Sequence, residues 1–190
     1  ISSAGVGADI RQTRGEIIVT NRFSFGGYIP PPNWAAGDRR VPRYEFLGGM
    51  LQATGIEITG EMFIEDTYLD DRISNLGTFK LAGTLTAGNC DENQLGPFVL
   101  ATNSLIDLAG AYAHLAFANC SSETWQPGSI LTITNWSSPL SGRPDDRLAF
   151  GSDASGLSPQ QLDMIRFINP AGFTPGEYPA RILATGVIVP

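Results

Sequence analysis

The sequence predicts an all-β fold, a single-domain parallel β-solenoid (β-helix) of about five coils, from repetition, composition and charge together. Short motifs with apolar residues on alternate positions recur at one spacing along the chain. Glycine (22) and proline (13) are frequent in its 190 residues and bound those motifs. Only 16% of residues are charged, too few to solvate the outer faces of a helical bundle. The competing architecture is a jelly-roll β-sandwich whose strands resemble one another by chance.

The repeats set the expected register. Phe98-Val99-Leu100-Ala101-Thr102-Asn103 returns as Ile130-Leu131-Thr132-Ile133-Thr134-Asn135 and, more loosely, as Met164-Ile165-Arg166-Phe167-Ile168-Asn169, at offsets of 32 and 34 residues. Thr84-Leu85-Thr86-Ala87 returns as His114-Leu115-Ala116-Phe117 and as Arg147-Leu148-Ala149-Phe150, at offsets of 30 and 33. Gly49-Met50-Leu51-Gln52-Ala53 matches Gly83-Thr84-Leu85-Thr86-Ala87. A period near 32 without a long helix leaves room for two or three strands per coil, whereas propeller blades need about 40 residues or more. Coils stacked about 4.8 Å apart give a rod on the order of 25 Å long. Asn103, Asn135 and Asn169 are expected above one another at a turn, their amides bonded along the axis.

Along the chain, residues 1–15 read as an N-terminal extended strand in which Ala4, Val6, Ala8 and Ile10 alternate with Gly5, Gly7 and Asp9. Such a strand either caps its own domain or adds to a neighbouring copy, and a contact of the second kind that does not close makes a head-to-tail filament. Residues 16–190 form the solenoid domain, with a Pro-rich loop near 28–34. There Tyr28-Ile29-Pro30-Pro31-Pro32-Asn33-Trp34 is a rigid polyproline-type protrusion. Cys90 and Cys120 each follow a repeat leucine, Leu85 and Leu115, by five residues. Equal phase in neighbouring coils is within disulfide reach. The bridge is worth roughly 3–4 kcal/mol and implies an oxidising compartment. Ser158-Pro159-Gln160-Gln161 is a capping box that starts one or two turns of helix before the strand ending at Asn169.

Residues 79–190, with Gly88-Asn89, Gln94-Leu95-Gly96-Pro97, Leu131-Thr132-Ile133-Thr134-Asn135-Trp136, the run from Phe150 to Leu157 and the ending from Ile182 to Pro190, resemble the C-terminal part of exported bacterial β-helix proteins. These are similar to autotransporter passengers and to surface proteins that carry PEP-CTERM sorting signals. The resemblance implies secretion and an extracellular or cell-surface location, and supplies no catalytic residues. The Pro-rich stretch departs from its pattern.

The remaining features bound function. A net charge of −7 and a pI near 4.6 exclude nucleic acid as a partner, since phosphate binding needs clustered cations. No apolar run is long enough to span a membrane. One histidine and two cysteines do not make a four-ligand zinc site, and no cofactor, metal or catalytic residue is assigned. Asp70-Asp71-Arg72 and Asp145-Asp146-Arg147, with Glu61, Glu65 and Asp66, fit a calcium-dependent polysaccharide lyase or, more simply, salt-bridged turns that begin strands. His114 is expected to be an exposed strand residue. Tyr28, Trp34, Trp125 and Trp136 beside turns are candidates for stacking on pyranose rings or on a partner; otherwise they cover the corners of the rod. Asn119-Cys120-Ser121 and Asn135-Trp136-Ser137 match the N-glycosylation pattern. The expected function is that of an exported, non-enzymatic structural or adhesive protein whose partners are copies of itself, or, as the alternative, that of a module binding extracellular polysaccharide.

Overall fold

A computed structural model describes residues 10–12, 16–25, 43–46, 50–58, 61–64, 72–75, 77–109, 112–137 and 146–190. The fold is all-β. In chain order its strands are β1 (Ile10–Gln12), β2 (Glu16–Phe25), β3 (Arg43–Phe46), β4 (Met50–Ile58), β5 (Glu61–Ile64), β6 (Arg72–Asn75), β7 (Phe79–Leu81), β8 (Thr84–Ala87) and β9 (Cys90–Leu95). There follow β10 (Phe98–Leu100), β11 (Ser104–Asp107), β12 (Ala113–Phe117), β13 (Leu131–Thr134) and β14 (Asp146–Phe150). The single helix among the described residues, α1 (Pro159–Leu162), precedes β15 (Ile165–Ile168), β16 (Glu177–Pro179), β17 (Arg181–Ile182) and β18 (Ile188–Val189).

The strands form a long eight-stranded sheet in the order β1-β3-β5-β8-β11-β13-β15-β16, and a five-stranded sheet in the order β10-β7-β4-β2, with β6 also beside β4. A three-stranded sheet, β14-β12-β9, and the β17-β18 pair complete the set. Every pairing from β1 to β15 is parallel, which rules out the antiparallel Greek keys of a jelly roll. From β7 the chain visits the sheets in rotation. β7, β8 and β9 lie in the five-, eight- and three-stranded sheets, and β10, β11 and β12 repeat that order.

The register corrects the expected period. Phe79 pairs with Phe98, Thr84 with Leu105 and Cys90 with Ala113, so these layers are 19 to 23 residues apart. The longer offset holds elsewhere, between His114 and Arg147, Leu131 and Ile165, Ile10 and Tyr44, and Glu16 and Met50. The long sheet carries seven parallel strands, more layers than five coils would give. Phe98–Leu100 and Leu131–Thr134 lie in different sheets, as do Thr84–Ala87 and Ala113–Phe117. Their likeness has a local cause: every strand that turns alternate residues inward reads alike. The asparagine ladder fails in the same way. Asn135 and Asn169 do correspond, both at positive φ, 58° and 48°, but Asn103 precedes β11 at the opposite end of that layer. Asn135 bonds along the axis to Asp107 instead, Nδ2 donating to Oδ1 at 2.6 Å.

Inward side chains stack from layer to layer. Met62, Leu85, Ile106, Ile133 and Phe167 make one buried column in the long sheet. At the corner between the other two sheets, Phe98 meets Phe117 edge to face at 5.1 Å, Phe150 at 5.8 Å and Trp125 at 5.5 Å. These rings are the bulk of the core there. The capping box forms as expected, with Gln161 N donating to Ser158 Oγ (3.2 Å) and Ser158 N to Gln161 Oε1 (2.8 Å). Gln161 Nε2 reaches on to the carbonyls of Cys120 and Glu123. The helix is thereby tied to the corner that holds Trp125.

One glycine is dictated by the stacking. A Cβ on Gly96 would lie 1.6 Å from the carbonyl oxygen of Gly77 in the adjacent layer, a backbone atom that cannot step aside. Gly96→Ala is expected to destabilise the protein by about 3 kcal/mol, read as a lower urea midpoint at unchanged m-value.

Candidate functional site

The two cysteines are the first expectation to change. They do not form a disulfide; both are buried thiols. Cys90 opens β9 in register with Ala113 of β12, whereas Cys120 lies beyond the end of β12. With layers 23 residues apart rather than 30, the two fall out of phase. Cys120 has a different task. The amide of Phe98 donates to its Sγ at 3.1 Å, and its own thiol donates to the Ala118 carbonyl at 3.0 Å. The indole of Trp125 donates to the Phe98 carbonyl at 2.9 Å, and the amide of Gln126 to the Leu100 carbonyl at 2.8 Å. Side chains and one amide thus satisfy the edge of β10, where the next layer supplies no strand.

The tryptophans of the expected glycan site are therefore placed for packing. Trp125 is 5% and Trp136 2% exposed, and Trp136 packs edge to face on Phe167 and Phe173. Neither ring has an open face for a sugar. Tyr28 and Trp34 lie outside the described residues, as do Ala4, Val6 and Ala8. Ile10 lies in β1 and pairs with Tyr44 of the same chain.

Of the acidic clusters, Glu65, Asp66, Asp70, Asp71 and Asp145 lie outside the described residues, while Arg72 begins β6. Asp146 turns inward. Its carboxylate accepts from the amides of Ala113 (3.2 Å) and Ser137 (2.8 Å) and from the Ser137 hydroxyl (2.5 Å). Glu92, also inward-facing, accepts from the amide of Ile73 at 2.7 Å and bridges β6 to β9. These two carboxylates serve the backbone. Asn119 of the first sequon is held in a turn, its Oδ1 accepting from both the amide and the hydroxyl of Ser121. Asp153, in an exposed turn of the same kind, accepts from the hydroxyl and amide of Ser155, and these bonds hold its carboxyl below the usual range.

The outer face of the three-stranded sheet is where polar and aromatic groups gather. His114 of β12 stands opposite Asp91 of β9 on one side and Arg147 of β14 on the other. Its Nδ1 is 3.7 Å from the Asp91 carboxylate. Two residues earlier, the Tyr112 ring lies against the imidazole, tilted by 35° with ring centres 4.0 Å apart. Tyr112 is 43% exposed, the one large hydrophobic side chain so exposed among the described residues. His114 itself is half-buried rather than exposed. Sequence reading missed Tyr112 because it sits just outside the repeat motif. The signal available was the Tyr112–His114 spacing of two, which puts both rings on one face of a strand. No cluster of three or more metal-ligating side chains occurs among the described residues.

Comparison of the chain with protein-family models, with curated proteins and with solved structures returned no match.

Burial pushes the Cys120 thiol from its ordinary 9.0 up to about 12, against the smaller opposing effect of the Phe98 amide. The unfolded chain ionises this thiol first. The contribution of Cys120 to stability is therefore complete below pH 9 and falls as pH rises from 9 towards 12. Burial also pushes the Tyr44 hydroxyl upward, so Tyr44 adds a loss of the same sign at higher pH. Urea midpoints are expected to drop between pH 8 and pH 10.5, less steeply in Cys120→Ala. Both thiols are expected to resist a disulfide reagent in the folded protein and to react fully in denaturant.

Proposed function

We propose that the chain is an exported, non-enzymatic structural or adhesive element of the cell surface, built as a parallel β-solenoid, and that copies associate through the end carrying β1 and β2. The rotation of successive strands among three sheets supports the solenoid reading. The resemblance of residues 79–190 to exported bacterial β-helix proteins supports the location, to which the thiols contribute nothing. The assignment of Asp146 and Glu92 to backbone bonding supports a scaffold over a carboxylate enzyme.

The carrying observation is that, among the described residues, the two ends of the stack differ. At the far end each sheet is closed. The long sheet finishes in antiparallel β16, a three-residue strand containing Pro179, a blunted edge of the sort that resists further pairing. The edge of β14 is covered by the chain between β17 and β18, with the Phe150 amide bonded to the Gly186 carbonyl, and the edge of β10 is met by the residues around Cys120 and Trp125. At the near end β1 and β2 are the terminal strands of their sheets among the described residues. A head-to-tail filament needs both ends to bind, whereas two copies meeting at the β1/β2 end make a closed, two-fold pair.

Light scattering coupled to size exclusion tests this over a range of concentrations. The full chain is expected to approach twice the monomer mass, and removal of residues 1–15, which takes β1 away, to abolish the increase while leaving cooperative unfolding intact. Monomers at every concentration would sink the assembly proposal.

A further inference from the structure

We infer that the outer face of the three-stranded sheet binds an uncharged polysaccharide, with Tyr112 as the stacking platform for one pyranose ring. This lateral face is separate from the β1/β2 end, so the inference does not depend on self-association.

Three observations carry it. Tyr112 is 43% exposed and its ring is in contact with the His114 imidazole, a contact that restricts the ring before any ligand arrives and lowers the conformational entropy lost on binding. A pyranose offers one apolar C–H face, which one aromatic ring is enough to cover. A protein partner would require apolar contact over a far larger area than a single exposed ring provides.

The surroundings match hydroxyl groups. Asp91 is an acceptor and Arg147 a fork of donors, on opposite sides of His114 in adjacent strands. The span from β9 to β14 is about 10 Å at the usual strand spacing, wide enough for one sugar ring and its flanking hydroxyls. Asn89, exposed and one residue before β9, adds both a donor and an acceptor near Tyr112. A carboxylate and a guanidinium flanking one face carry no net charge between them, and so give no net attraction for a charged polymer. The overall charge of −7 further opposes a polyanion. A neutral glycan is therefore the ligand this face takes.

Affinity electrophoresis of the full chain tests it, in native gels cast with a soluble β-glucan, with xylan, or with alginate as the polyanion. Retardation is expected in at least one neutral gel and not in alginate, lost in Tyr112→Ala and kept in Tyr112→Phe. Unretarded wild-type protein in both neutral gels, retardation confined to alginate, or undiminished retardation of Tyr112→Ala overturns the inference. Should Tyr112→Ala fail to fold, judged by thermal unfolding, Arg147→Gln takes its place. In an amide NMR titration of the unmodified chain with the retarding glycan's hexasaccharide, shifts are expected to centre on Asp91, Tyr112, His114 and Arg147; shifts centred elsewhere overturn the inference as well.

Discussion

Backbone pairing between successive layers is the constraint on which the rest of this structure depends. In a parallel stack each strand gives half of its amides and carbonyls to the layer before and half to the layer after. Inside the stack that demand is met automatically, and the inward side chains fall into columns such as Met62, Leu85, Ile106, Ile133 and Phe167. Where a layer lacks a strand, the orphaned groups are buried and costly unless something else meets them. The most informative side chains of this protein are those that do so.

Cys120 and Trp125 belong to that set, while Asp146 and Glu92 meet other backbone amides, those of Ala113, Ser137 and Ile73. Each has a chemical type that invites a functional interpretation: a thiol, an aromatic platform and two carboxylates. Each instead has its polar atom turned to a backbone group. Phe98 shows the principle most fully, its amide bonded to a sulfur and its carbonyl to an indole. Other side chains face outward where the ladder already satisfies the backbone. His114, Asp91 and Arg147 are of this second kind, and Tyr112 stands just before β12 beside them.

The all-β class, the alternation of strands such as β12 and β13, the helix at Ser158 and the correspondence of Leu131 with Ile165 were all legible in the sequence, because they follow from local pattern. The layer spacing was not. Phe98–Leu100 resembles Leu131–Thr134 for the same reason that any two inward-alternating strands do, so similarity alone does not tell which sheet a strand joins. From that one ambiguity came the mistaken phase of Cys90 and Cys120, the inclusion of Asn103 in a ladder with Asn135 and Asn169, and the count of five coils. Trp125 and Trp136 are buried; proximity to a turn says nothing about which side of the turn a ring occupies. Tyr112 was passed over because it precedes its strand.

The closed far end also limits how such a molecule can lengthen. Adding a layer beyond β15 would require β16 to be displaced, and with it the chain between β17 and β18 that covers β14. Duplication of an interior unit, one strand for each sheet in order, would leave both ends untouched and would need only that its corners accept the neighbouring glycines and rings. The number of parallel layers is thus a quantity that sequence change can adjust from within, while the far terminus stays fixed.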